Sequence, residues 1–182
     1  MPRLFYKAKL AKVIQKAEAY ISDTYEAPIP ESMLFDANEI KFSLTPIPKN
    51  DDDDLADFFY RVALEMERKK EMTFVEKVNS LILQKKVRET TVYKAAQMDR
   101  RLFSKIMSDI NYKPSKDTAV AIALAFRLTL DEATDLLKRA GYTLSHSDKR
   151  DIVIEFFFRE RVYDLFDANY ILSEFQMKCI GR

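Results

Sequence analysis

Two glycines in 182 residues, Gly141 and Gly181, constrain the fold of this chain more than any other feature. Glycine supplies the left-handed backbone of tight hairpin turns and the close approach of phosphate-binding loops. Their scarcity argues against a Rossmann fingerprint, a P-loop and a sheet rich in tight turns. Helices remain. Apolar residues at 47% and charged residues at 32% suit a globular chain. The length allows one domain with a sizeable core, or a small domain with an appendage.

A net charge of +1 means that the chain as a whole is no basic nucleic-acid binder; such a role needs local asymmetry. The single cysteine, Cys179, permits no intramolecular disulfide and suits a reducing, cytoplasmic setting. No apolar run approaches the ~18 residues of a membrane span. The start, MPRLFYKAKLAKV, lacks the uninterrupted apolar stretch of a signal peptide.

Apolar spacing predicts an amphipathic helix over 3–22, with a stripe of Leu4, Ala8, Ala11 and Ile14 flanked by Leu10, Ala17 and Ile21. Arg3, Lys7, Lys9, Lys12 and Lys16 oppose only Glu18 on it, so an anionic partner or a membrane surface is one reading and a solvated face the other. Residues 23–54 hold Pro28, Pro30, Pro46 and Pro48 and nine acids against Lys41 and Lys49, which marks a linker. Within it EIKFSL alternates as one short strand would. The cluster Asp51–Asp54 lacks the spaced ligands and glycine of a calcium loop. A second helix is predicted over 55–70, with Leu55, Phe58, Phe59, Val62 and Met66 on its apolar side.

Five short helices are expected between 73 and 142. They cover 73–86, 90–96, 99–109, 115–127 and 130–140. Asp99 opens the third, Ser115 the fourth, and Thr129 with Glu132 forms a capping box for the fifth, which Gly141 ends. Two further helices follow, DKRDIVIEFFFRE and YDLFDANYILSEF.

The second and third of these helices, joined by a tight turn, resemble the helix-turn-helix domain of the lambda-repressor-like (Cro and cI, XRE) family. Val87, Val92 and Ala96 match its apolar positions, Met98 the buried residue of its turn and Asp99 its cap. FSKI at 103–106 and KPSKDTAVAIALAFRLTLDEA at 113–133 match its pattern further. Residues 73–182 also resemble a C-terminal module of bacterial proteins that carry macro domains. The resemblance implies an all-α fold: a five-helix lambda-repressor-like domain at 73–142, a two-helix extension at 143–182 and a helical N-terminal appendage at 1–72.

It also implies a bacterial, non-catalytic regulator that binds double-stranded DNA and needs no cofactor. Helix 99–109 would read the major groove through Arg100, Arg101, Ser104 and Lys105. Lys94, Lys113 and Lys116 would neutralise phosphates. Residues 84–116 carry nine bases against Glu89, Asp99 and Asp109, a local +6. Three positions depart from the family. Glu89 stands where a phosphate-binding Gln is usual, Tyr93 where a small residue is usual, and Gln97 replaces the turn glycine. Glu89 favours a second reading, a protein-interaction adaptor. A partner or a second copy would then dock on the phenylalanine-rich 152–166 segment and the first helix.

Other chemistry is thinly represented. His146 has no second His or nearby Cys for a metal, and SHSD lacks the strained turn of a catalytic serine. Glu155 and Glu160 lie among phenylalanines, where pairing with Arg159 or Arg161 is the expected state.

Overall fold

A computed structural model describes residues 2–26, 52–68 and 71–181. Among these residues there are nine helices and no strand. They are α1 (Pro2–Thr24), α2 (Asp52–Arg68), α3 (Phe74–Gln84), α4 (Glu89–Ala95), α5 (Arg100–Ser108), α6 (Lys116–Ala125), α7 (Leu130–Arg139), α8 (Lys149–Arg159) and α9 (Leu165–Glu174). Each predicted helix is present. The expected strand in EIKFSL, most of the linker and the side chains of Asp51–Asp54 lie outside the described residues. Two compact units result. One is Met1–Ala27 with Met72–Arg182; the other, Pro28–Glu71, contains α2. The first helix, grouped with the linker on sequence, therefore belongs with the main unit, where it packs on α8 and α9.

Two helices fill the centre of the main unit. Ala119 to Leu124 of α6 are six successive buried residues, so this helix is covered on all sides. Three of the six are alanines, small enough to let α4, α7 and α9 pack close. Residues 151–158 of α8 are likewise all buried, against α1, α7 and α9. On α1 the covered side is Leu10 and Ala17, with Val13, Ile14, Tyr20 and Ile21 packed beside them. Ala11, expected on the apolar stripe, is exposed; the stripe turns by about one residue, because the larger Leu10 takes the core side.

Helix starts follow the predicted caps. Thr129 Oγ1 accepts from the Glu132 amide at 3.3 Å while Glu132 Oε2 accepts from the Thr129 amide at 2.9 Å. Ser115 accepts from the Thr118 amide. A second capping box, Thr73 with Glu76, opens α3.

Helix ends explain how the chain manages with two glycines. In α3, α4, α6, α7, α8 and α9 the residue past the cap takes a left-handed conformation: Lys86, Gln97, Arg127, Gly141, Arg161 and Gln176. The next amide then bonds back five residues, as in Met98 N–H to the Tyr93 carbonyl at 2.8 Å. The residue that donates it is apolar each time, Val87, Met98, Leu128, Tyr142, Val162 or Met177, and packs on the core. Only Gly141 adopts this backbone without strain; for the others it costs about 1–2 kcal/mol. At Lys86, Arg127 and Arg161 a cation at the negative helix end returns about 0.3–1 kcal/mol. The two glutamines have no such offset. Gln97→Gly is therefore expected to raise the unfolding free energy by about 0.5–1 kcal/mol, and Arg127→Gly by less, in urea titrations. Gly141→Ala should lower it by about 1 kcal/mol.

Candidate nucleic-acid interface

The segment from α4 to α5 carries most of the candidate residues. Val92 and Ala96 anchor α4 in the core, and Phe103 and Ile106 anchor α5. The Tyr93 and Phe103 rings, 6.0 Å apart, join the two helices. Tyr93 is thus a packing residue. Gln97, with φ of 48°, turns the chain in the left-handed region that favours glycine. Met98 packs on the core beside it. Asp99 then caps α5, its Oδ1 accepting from the Arg101 amide at 2.6 Å.

Helical geometry decides what α5 shows. With Phe103 and Ile106 sunk, Arg100, Arg101, Ser104, Lys105 and Ser108 fall on the opposite side, and all are exposed. Among the described residues Arg100, Arg101 and Ser104 have no ion-pair or side-chain hydrogen-bond partner. Lys105 lies over the Tyr112 ring at 5.9 Å. Lys94, in the last turn of α4, is exposed across the same turn, and Lys113 is exposed just before the buried Pro114. Glu89 is exposed in the first turn of α4.

Lys116 is different. Its Nζ lies 2.6 Å from Oδ2 of Asp151, a carboxylate only 3% exposed that also accepts from the Ser145 amide at 2.9 Å. A phosphate would have to compete with a buried anion for this lysine. Lys116 is a structural cation joining α6 to α8, and the phosphate role expected of it is withdrawn. Sequence could not show this, because Asp151 lies 35 residues on.

The docking surface expected at 152–166 also needs correction. Ile152 to Phe158 are buried in the unit's own core, since α8 is central to it. Only Arg159, Glu160, Arg161, Asp164 and Phe166 of that segment are exposed.

A second polar centre lies where α1 meets α8. Glu155, 6% exposed, accepts from Tyr20 Oη at 2.6 Å, Arg159 Nε at 3.0 Å and His146 Nε2 at 2.8 Å. Burial pushes its carboxyl up, but the bonds from Tyr20 and His146 and the nearby positive charge outweigh this and hold it below its ordinary range. Burial and the Glu155 carboxylate push the Tyr20 phenol up. Pairing with Arg159 was legible in the sequence; Tyr20 and His146 were not. Glu160 pairs instead with Lys16 of α1, at 2.8 Å. Elsewhere, burial raises Asp117 but Arg150 and Lys178 more than reverse it, and bonds from Arg139 and Lys77 lower Asp135.

These three carboxyls titrate lower in the folded chain than in the unfolded one. Their contribution is full above the unfolded pKa and is lost as pH falls through the folded values. The unfolding free energy is expected to fall as pH drops from about 5 toward about 3. Tyr20 has the opposite sign, and its share is lost only above about pH 10. Urea titrations across pH check both limbs.

Among the described residues no group of His, Cys, Asp and Glu could hold a metal ion, and no helix is long and apolar enough to cross a membrane. Cys179 is half-buried, its Sγ near the Asn169 carbonyl. Comparison with protein-family models, curated proteins and solved structures gave no match.

Proposed function

We propose that α3 to α7 form a lambda-repressor-like helix-turn-helix domain that binds double-stranded DNA as a non-catalytic regulator, with α5 in the major groove. The observation that carries this reading is α5 itself. Its apolar side is fixed in the core, its start is capped, and Arg100, Arg101 and Ser104 are exposed with no side-chain partner among the described residues. Arginine is suited to the paired acceptors of guanine, and serine to a base edge or a phosphate. Lys94, Lys105 and Lys113 would add phosphate contacts. A second reading, a protein-docking adaptor, is favoured by Glu89, a carboxylate exposed where phosphate would approach, and by exposed Leu102 and Ile110 near the same helix.

Fluorescence anisotropy separates them, using the DNA upstream of the protein's own gene and a random duplex at ~50 and ~200 mM salt. Regulation predicts tight binding to the upstream duplex that survives the higher salt. Equal, weak binding to both duplexes, lost at the higher salt, would leave only a basic surface and return the adaptor reading.

A further inference from the structure

We infer that α5 selects its duplex by guanine, because its outward side offers hydrogen-bond donors and almost no acceptors. The inference deepens the reading of α5 as a groove reader and rests on it. At 3.6 residues per turn Arg101, Ser104, Lys105 and Ser108 share an arc of about 100°, opposite the buried Phe103 and Ile106. Arg100 borders that arc on one edge and Leu102, 37% exposed, on the other. Arginine and lysine side chains donate and cannot accept. No asparagine, glutamine, aspartate or glutamate lies within α5. The two carboxylates that flank it are turned onto the backbone. Asp99 Oδ1 accepts from the Arg101 amide at 2.6 Å, and Asp109 Oδ1 from the Asn111 amide at 2.9 Å. Gln97, which both donates and accepts, lines the cleft beside Lys178 and Gly181.

Each base shows a different edge in the major groove. Adenine sets an acceptor beside a donor and suits an amide side chain. Cytosine shows a donor and suits a carboxylate. Thymine shows one acceptor beside a methyl group. Guanine alone shows two acceptors, N7 and O6, and a guanidinium group can fork onto both. Arg100 and Arg101 have no side-chain partner among the described residues, so both forks are available. Ser104 can donate or accept and does not choose between bases; Ser108 spends its proton on the Lys105 carbonyl 2.9 Å away. Leu102 could meet a thymine methyl only at the margin of the contact.

Selection of duplexes by the full chain from a randomised pool, at ~150 mM salt, tests the inference. Guanine is expected at the fixed positions of the selected set. Replacing every guanine of a selected duplex by 7-deazaguanine removes the N7 acceptor and should weaken binding at least about 10-fold in anisotropy titrations. Replacing guanine by hypoxanthine removes only the minor-groove amino group and should change affinity less than about 3-fold. In the Arg100→Ala, Arg101→Ala variant, measured at ~50 mM salt, the 7-deazaguanine penalty should vanish, which separates a direct contact from an altered duplex shape. A selected set fixed only at adenine and thymine, or a selected duplex indifferent to 7-deazaguanine, would overturn the inference and leave α5 a DNA reader of another kind. A loss with hypoxanthine alone would move the contacts to the minor groove and overturn it too. A pool that yields no enriched sequence would overturn the reading of α5 itself, and this inference with it.

Discussion

Replacing Arg100 and Arg101 together by alanine is expected to weaken binding to the upstream duplex by about 2–6 kcal/mol. This is the sum of two contacts at about 1–3 kcal/mol each, and is at least roughly 30-fold in affinity. Among the described residues neither arginine has a side-chain partner, and both are exposed. Unfolding free energy should therefore stay within about 0.5 kcal/mol of the parent. Binding to a random duplex should fall less, and the slope of log affinity against log salt should change little, because the phosphate contacts are assigned to Lys94, Lys105 and Lys113. Lys116→Ala supplies the contrast. It strands the buried Asp151 and should lower stability by about 2–3 kcal/mol while leaving specific DNA binding intact. Parent-like affinity in the double arginine variant would remove α5 as the reading helix.

The second large effect belongs to Glu155. Glu155→Ala removes the common acceptor of Tyr20, His146 and Arg159 at the α1–α8 contact. Removing one partner of a buried pair costs about 3–5 kcal/mol. Here Arg159 and His146 reach solvent, with side chains 53 and 42% exposed, so about 3 kcal/mol is expected. Tyr20→Phe, which deletes one bond and keeps the ring beside Phe156, should lose only about 1 kcal/mol. Urea denaturation measures both. Trypsin adds a local reading, because cleavage at Lys12 and Lys16 should accelerate more in Glu155→Ala than cleavage elsewhere. A loss below about 1 kcal/mol would mean that water replaces the carboxylate at little cost.

Much of this was legible in the sequence, and the reason is local. Apolar spacing and caps such as Asp99, Ser115 and Thr129 act within one or two turns, so they can be read without knowing the fold. The exposure of Arg100 and Arg101 follows from the same periodicity, once Phe103 and Ile106 are assigned to the core. Contacts across the chain were not legible. Glu155 meets Tyr20 across 135 residues, and Lys116 meets Asp151 across 35. Residue type alone leaves Lys116 indistinguishable from a phosphate-binding lysine. The phenylalanines of α8 show a related difficulty: a strongly apolar segment reads equally as an interface or as a central helix, and only the neighbours decide. Left-handed residues such as Lys86 and Gln97 carry no side-chain signature at all.

The main unit is assembled from two separated stretches of chain, with Pro28–Glu71 running between them. Bringing α1 onto α8 joins residues as far apart as Tyr20 and Glu155, 135 positions in sequence, whereas the contacts from α3 to α9 are mostly between close neighbours. The loop-closure entropy defers that step, so α1 joins a bundle that has already formed. Substitutions at the α1–α8 seam will then speed unfolding and leave the folding rate almost untouched. The same order of events predicts that a synthetic peptide of residues 1–26 will bind in trans to a chain beginning at Met72, its affinity reporting directly on the strength of the seam.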